Sequence, residues 1–324
     1  MSAGLITQEE PVVVHAHAHA PAPVQVEGAQ PWVAGGWSDY LELTKPRIAV
    51  LELVTVALSA FTARWMLPDA ALLAWLLSGT ALVAAGASAW NQWLEIGTDL
   101  RMRRTAERPL PAGRLTPRQV ATFGFVTTVA GVALLASQVN PLTALFGFAT
   151  WFLYVVVYTP MKRYTSLNTV VGAVAGAMPV LMGWAAVDGP MNLSAASLFM
   201  IVFLWQFPHF MAIAWMYKDD YALGGYRVLP VVDPTGRKTA RSILVWSVAL
   251  VPVSIAPVIL MKPIPAGVFG VLAAAMGVGF LLLSIKLAKT LARPDARRMF
   301  IASIIHLPLL LVLLVVCCAV SALI

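Results

Sequence analysis

The chain has 324 residues, 60% of them hydrophobic and only 11% charged, with 22 Lys and Arg against 15 Asp and Glu. Soluble domains are nearer roughly 25% charged, so this composition, with a mean hydropathy of +0.80, excludes a soluble globular protein and points to one integral membrane domain. The net charge of +7 raises nucleic acid as a partner, a reading that the placement of the charges removes.

Residues 1–40 are dominated by Ala, Pro, Val, Gln and Glu, with His15, His17 and His19 alternating with Ala. No basic stretch precedes an apolar core, as a secretory signal would require, and Glu9, Glu10 and the missing arginines argue against a mitochondrial leader. The expectation is a disordered tail; weak metal binding by the three histidines is the alternative.

From residue 41 onward, apolar runs of membrane-crossing length predict nine transmembrane helices near 48–67, 71–93, 119–138, 142–159, 168–187, 195–217, 242–261, 266–285 and 299–323. With the N-terminus inside and the C-terminus outside, all of the 22 Lys and Arg except Arg64 and Lys262 fall on the inner side. Inner loops carry such an excess in membrane proteins. The basic balance is therefore a topology signal, and no nucleic-acid partner is expected. Two long inner connections, about 94–118 and 218–241, follow the second and sixth spans and hold most of the polar chemistry. They hint at two four-helix halves and place the active face inside. Cys317 and Cys318 are neighbours in the last span and imply no disulfide framework.

Several constellations sit at that inner face. Lys45-Pro46-Arg47 opens the first span and supplies positive charge for an anionic ligand, and Glu52 lies deeper in the same span. At the inner end of the second span, Asn91, Glu95 and Asp99 are spaced i, i+4, i+8, which puts three oxygen-bearing side chains on one helix face. Oxygens in such a row suit Mg2+, which shares its shell with phosphates. Gly97 is expected to loosen the helix so that the oxygens converge. Arg104 and Arg108, followed by Pro109 and Leu110, offer planar forks that match phosphate oxygens; plain topology would also place arginines here. Tyr158-Thr159-Pro160-Met161-Lys162-Arg163 ends the fourth span and brings two more cations to the same face, as diphosphate ligands or as anchors.

The sixth span carries Trp205, Gln206, Pro208 and His209, costly residues for a membrane helix unless they form a site. Asp219, Asp220 and Tyr221 follow it, where the two carboxylates could face the first cluster and hold a second metal. His306 lies beside Pro308 in the last span, either a ligand or a helix-to-helix hydrogen bond.

Together these residues resemble the intramembrane UbiA prenyltransferase superfamily, and within it the branch that farnesylates haem. The resemblance covers roughly residues 40–310 and is carried by Leu43-Thr44-Lys45-Pro46-Arg47, the run from Asn91 through Asp99 to Arg104-Thr105 and Arg108-Pro109-Leu110, and Tyr158-Thr159-Pro160 with Lys162-Arg163. Asn168, Gly172, Trp205 to Phe210, Asp220-Tyr221 and Ser303-Ile304-Ile305-His306-Leu307-Pro308 add to it. Most of the superfamily has a second Asp-x-x-x-Asp motif after the sixth span, whereas here Gly224 stands four residues past Asp220. Glu95 stands where many members have Asp.

The resemblance implies an all-α nine-helix bundle in a bacterial inner membrane with its active site on the cytoplasmic face. It implies Mg2+ held by Asn91, Glu95, Asp99, Asp219 and Asp220, farnesyl diphosphate held by Arg104, Arg108, Lys162, Arg163, Lys45 and Arg47, and catalytic roles for Asn91, Glu95, Asp99, Asp220 and Tyr221. Haem B is the implied acceptor, held by His209, His306, Trp205 and Gln206, and the product, haem O for haem-copper oxidases, brings in haem A synthase as a partner. The alternatives are a related prenyltransferase with a quinone-precursor or chlorin acceptor, a multi-span transporter using the same charges, and a haem-binding chaperone.

Overall fold

The computed structural model describes residues 35–324; the histidine-bearing segment expected to be a disordered tail falls outside them up to residue 34. Among the described residues there are nine helices long and apolar enough to cross a membrane: Pro46–Arg64, Ala70–Asp99, Pro117–Gln138, Pro141–Met161, Asn168–Ala186, Leu193–Met216, Arg237–Ile259, Pro263–Thr290 and Arg293–Leu323. The protein is an all-α integral membrane protein. A short helix, Trp37–Leu43, crosses the boundary drawn at residue 40.

Most spans run further than the apolar pattern predicts at the end that carries the long polar connections. The second continues to Asp99, the seventh starts at Arg237 and the ninth at Arg293. Arg237, Lys238 and Arg241 in the seventh span and Ala296, Arg297 and Arg298 in the ninth favour helix, whereas the second carries on through Gly97, Thr98 and Asp99 in spite of their low propensity. Caps fix several starts: Asp69 accepts from the amides of Ala71 and Leu72, and Thr116 and Gln119 form a capping box before the third span.

Buried apolar side chains gather in two clusters. One joins the first five spans through residues such as Val56, Leu76, Leu135 and Met182. The other joins the fifth to ninth through Trp184, Ile201, Leu250, Phe269 and Leu307. The fifth and sixth spans are the most buried and form the centre.

Lipid is as apolar as leucine, so tight van der Waals packing matters more here than removal from water. The second and third spans show it. A Cβ on Gly131 would lie 2.8 Å from the amide nitrogen of Val83 and 2.9 Å from the carbonyl of Gly79, and one on Gly86 would lie 2.9 Å from the carbonyl of Gly124. The two backbones therefore touch along a glycine seam. Gly131→Val is expected to lower stability by about 2–3 kcal/mol through overpacking, seen as a lower Tm in detergent. Gly267→Val, at a position with nothing within 4 Å, is the control that should leave Tm close to wild type.

The candidate active site at the inner mouth

The second span is helical without a break through Asp99, so Gly97 does not loosen it; a side chain there would meet nothing within 4 Å. Asn91, Glu95 and Asp99 consequently share one face, and all three are buried. Each already holds a cation. Asn91 Oδ1 accepts from Lys45 Nζ at 2.8 Å. Glu95 Oε1 pairs with Lys162 Nζ at 2.5 Å, and Asp99 Oδ2 with Arg108 at 2.7 Å. Asp99 Oδ1 is buried with no partner, a state that costs free energy unless something completes it. One amide oxygen and two carboxylates form a hard, all-oxygen donor set that could hold a divalent cation.

Local backbone geometry aims these cations. Lys45 adopts a left-handed conformation (φ 52°) directly before Pro46. That costs on the order of 1–3 kcal/mol for a non-glycine residue and persists only where the surroundings enforce it. Gln92 Nε2 donates to the carbonyl of Leu43 at 3.0 Å and Leu43 is fully buried, which pins the chain entering Lys45. On the other side, the fourth span widens to a π-helical turn over Leu153–Tyr158, and the Thr159 amide reaches back to the Tyr154 carbonyl. Such turns recur at functional sites. This one turns Thr159 toward Asn91, whose Nδ2 donates to Thr159 Oγ1 at 3.1 Å, and carries Lys162 to Glu95.

The loop after the sixth span closes the mouth. The Arg227 amide donates to the Lys162 carbonyl at 2.7 Å. The buried Tyr226 shares a hydrogen bond with Thr98 Oγ1 at 3.0 Å, and its ring lies 5.4 Å from Lys162 Nζ, opposite Tyr158 at 4.7 Å. Arg104 donates to Tyr221 OH at 3.2 Å and sits over the rings of Tyr217 and Tyr221. Asp220 lies close enough to help keep Arg104 charged.

The electrostatics suit an anion. Burial works against the charge on Lys162, yet the Glu95 carboxylate holds its ammonium well above the usual lysine range. Burial also opposes the charge on Arg104, but Tyr221 raises it. Burial raises Tyr226, which stays a neutral phenol. Lys45 differs: burial, then the neighbouring Arg108, lower it to about 7. An ammonium with that value is charged below pH 7 and loses its charge above it. The Lys45 contribution to diphosphate affinity is therefore expected to fall above pH 7, approaching tenfold per pH unit as proton uptake on binding rises from about one half toward one. Lys45→Arg should flatten the profile, as read by diphosphate titrations between pH 6 and 8.5.

The sequence-derived residues are not all brought together. Arg47 is exposed and forms no hydrogen bond or ion pair among the described residues. Arg163 is exposed and donates to the Leu94 carbonyl at 3.2 Å. Asp219 is exposed, and among the described residues no three His, Cys, Asp or Glu gather as a metal cluster. Trp205, Gln206 and His209 lie deeper in the sixth span. Trp205 Nε1 donates to the Ser303 carbonyl at 2.8 Å, and Gln206 Nε2 to the Ala173 carbonyl at 2.9 Å. His306 packs its ring on Phe280 at 4.7 Å. Thr98, Thr159, Tyr226 and Ser303 received no role from the sequence.

The family model for the UbiA prenyltransferase family matches residues 53–305. The chain belongs to the UbiA prenyltransferase family. It is 44% identical over 283 residues to a protein named protoheme IX farnesyltransferase from Solibacter usitatus, covering 84% of this chain and 96% of that one. Among solved structures it is similar to a digeranylgeranylglyceryl phosphate synthase, with a TM-score of 0.72 at 17% identity over 87% of this chain and 98% of that one. It is also similar to a UbiA homolog from Archaeoglobus fulgidus bound to GPP and Mg2+, with a TM-score of 0.62 at 13% identity over 85% of this chain and 99% of that one. Membership in the UbiA family decides for prenyl transfer over a transporter.

Proposed function

We propose that this chain transfers a farnesyl group from farnesyl diphosphate to a vinyl group of haem B, giving haem O. The likeness to the Solibacter protein over 96% of its length supports the acceptor. The inner mouth supports the donor: Lys45, Lys162 and Arg108 pair with Asn91, Glu95 and Asp99, and Arg104 adds a further cation beside Tyr217 and Tyr221, which gives the cations the excess that a diphosphate needs.

The orphaned Asp99 Oδ1 and the all-oxygen set of Asn91, Glu95 and Asp99 fit Mg2+, which when bound neutralises charge on the diphosphate and eases its departure. Asp219 and Asp220 stand as candidates for a second metal. Arg104, Arg108, Lys162 and Lys45 hold the diphosphate oxygens and stabilise the charge that grows on them as the allylic C–O bond ionises; Arg47 and Arg163 add charge from the rim. The departing diphosphate keeps the bonding electron pair. The terminal vinyl carbon of haem attacks the farnesyl cation, water adds to the carbon cation left beside the ring, and that water releases a proton. The Tyr154, Tyr158, Tyr221 and Tyr226 rings give the mouth an aromatic lining that shields the cation from premature quenching. Trp205, Gln206, His209 and His306 are the residues we assign to the acceptor.

The basic residues favour an N-terminus inside and a C-terminus outside, with the site on the cytoplasmic face of a bacterial inner membrane. A haem A synthase, which would take the haem O formed, is the partner that this product calls for.

Purified protein in lipid, supplied with haem B, farnesyl diphosphate and Mg2+, is expected to yield haem bearing a hydroxyethylfarnesyl group, read by chromatography and mass. Diphosphate release with an aromatic acceptor and none with haem would overturn the acceptor assignment.

A further inference from the structure

The notable chemistry outside the inner mouth is a three-residue relay between the sixth and ninth spans. His209 Nδ1 lies 2.7 Å from Ser303 Oγ. The Ser303 hydroxyl has one proton, and it goes to the Phe300 carbonyl at 2.6 Å. Ser303 Oγ can therefore only accept from His209, so Nδ1 carries the ring proton and Nε2 keeps its lone pair. No group of the protein pairs with Nε2 among the described residues, and it is not sealed, unlike Nε2 of His306, which is buried without a partner.

The plane of the ring is fixed as well. Trp205 stacks on His209 at 4.8 Å and 21°, and Phe300 lies 5.3 Å away at 31°. Trp205 is itself tied to the ninth span through the Ser303 carbonyl. An imidazole whose far nitrogen donates a hydrogen bond and whose near nitrogen presents an open lone pair is the form that binds a metal.

We infer that His209 Nε2 ligates the iron of the haem acceptor, with Ser303 as a positioning residue that fixes the tautomer and Trp205 as one that fixes the ring plane. This rests on the haem acceptor proposed above. His209 lies seven residues before the inner end of its helix at Met216, about 10 Å deeper than the mouth. That depth sets the iron ligand apart from the diphosphate site along the sixth span. His306 takes no part in the ligation.

The test is haem binding without farnesyl diphosphate, on the full chain in lipid nanodiscs. Wild type is expected to give the absorption and resonance Raman signature of histidine-ligated iron. His209→Gly should lose it, and added imidazole should restore it. His306→Ala, at a residue assigned to the porphyrin and not to the iron, should keep the histidine-ligated signature whatever its effect on haem affinity. Ser303→Ala should weaken haem affinity roughly tenfold and lower the iron–histidine stretching frequency, with Ser303→Thr returning both toward wild type. A histidine-ligated spectrum in His209→Gly before imidazole is added would overturn the ligand assignment. An unchanged stretching frequency in Ser303→Ala would overturn the positioning role. Folded wild type that binds no haem would overturn the acceptor itself, and this inference with it.

Discussion

Asp99→Asn is expected to cut farnesyl transfer by about 10²–10³-fold or more while the protein stays folded. The carboxylate is fully buried, one oxygen holds Arg108 and the other holds nothing. An asparagine keeps the shape but removes the charge, and its amide nitrogen places a donor where a cation or a diphosphate counter-ion is needed. Arg108 keeps 24% of its side chain exposed, so water can take over its solvation and the loss in stability should stay within about 1–2 kcal/mol. Product formation and a thermal melt on the same preparation check both halves. Activity within tenfold of wild type would remove Asp99 from the machinery.

Lys162→Met should be damaging in two separable ways. Its ammonium is the cation closest to Glu95, and only 11% and 5% of the two side chains are exposed. Removing one partner leaves a buried carboxylate unpaired, which costs about 3–5 kcal/mol. Adding Glu95→Gln to Lys162→Met should recover most of that stability, because the stranded charge is gone. It should not recover activity, because both the cation for the diphosphate and a carboxylate of the oxygen cluster are then missing. Recovery of both in the double variant would make the pair a structural bridge only.

The spans were legible because membrane helices announce themselves by apolar runs, and the oxygen row was legible because i, i+4, i+8 spacing needs no tertiary knowledge. What stayed hidden depends on partners far along the chain. Thr159 and Ser303 look like ordinary small polar residues until Asn91 and His209, 68 and 94 positions away, meet them. Tyr226 gains its place only from a loop whose backbone bonds to Lys162. The π-helical turn at Leu153–Tyr158 has no composition signal, yet it sets the aim of both Thr159 and Lys162. Lys45 and Arg47 read as one basic patch, but Lys45 stands before the helix in a left-handed conformation and reaches Asn91, whereas Arg47 is the second residue of the helix and is exposed. Gly97 read as a weak point in the helix because glycine propensity is local, whereas the flanking turns hold it straight.

The glycine contact between the second and third spans fixes more than packing. A helix turns by about 100° per residue, so a slip of one position would swing Asn91, Glu95 and Asp99 away from Lys45, Lys162 and Arg108 together. Gly79 and Gly131, pressed against each other's backbones, act as a key in a slot that forbids the slip. The angular alignment of the three oxygen-bearing side chains is thus set some three turns of helix away from the nearest of them.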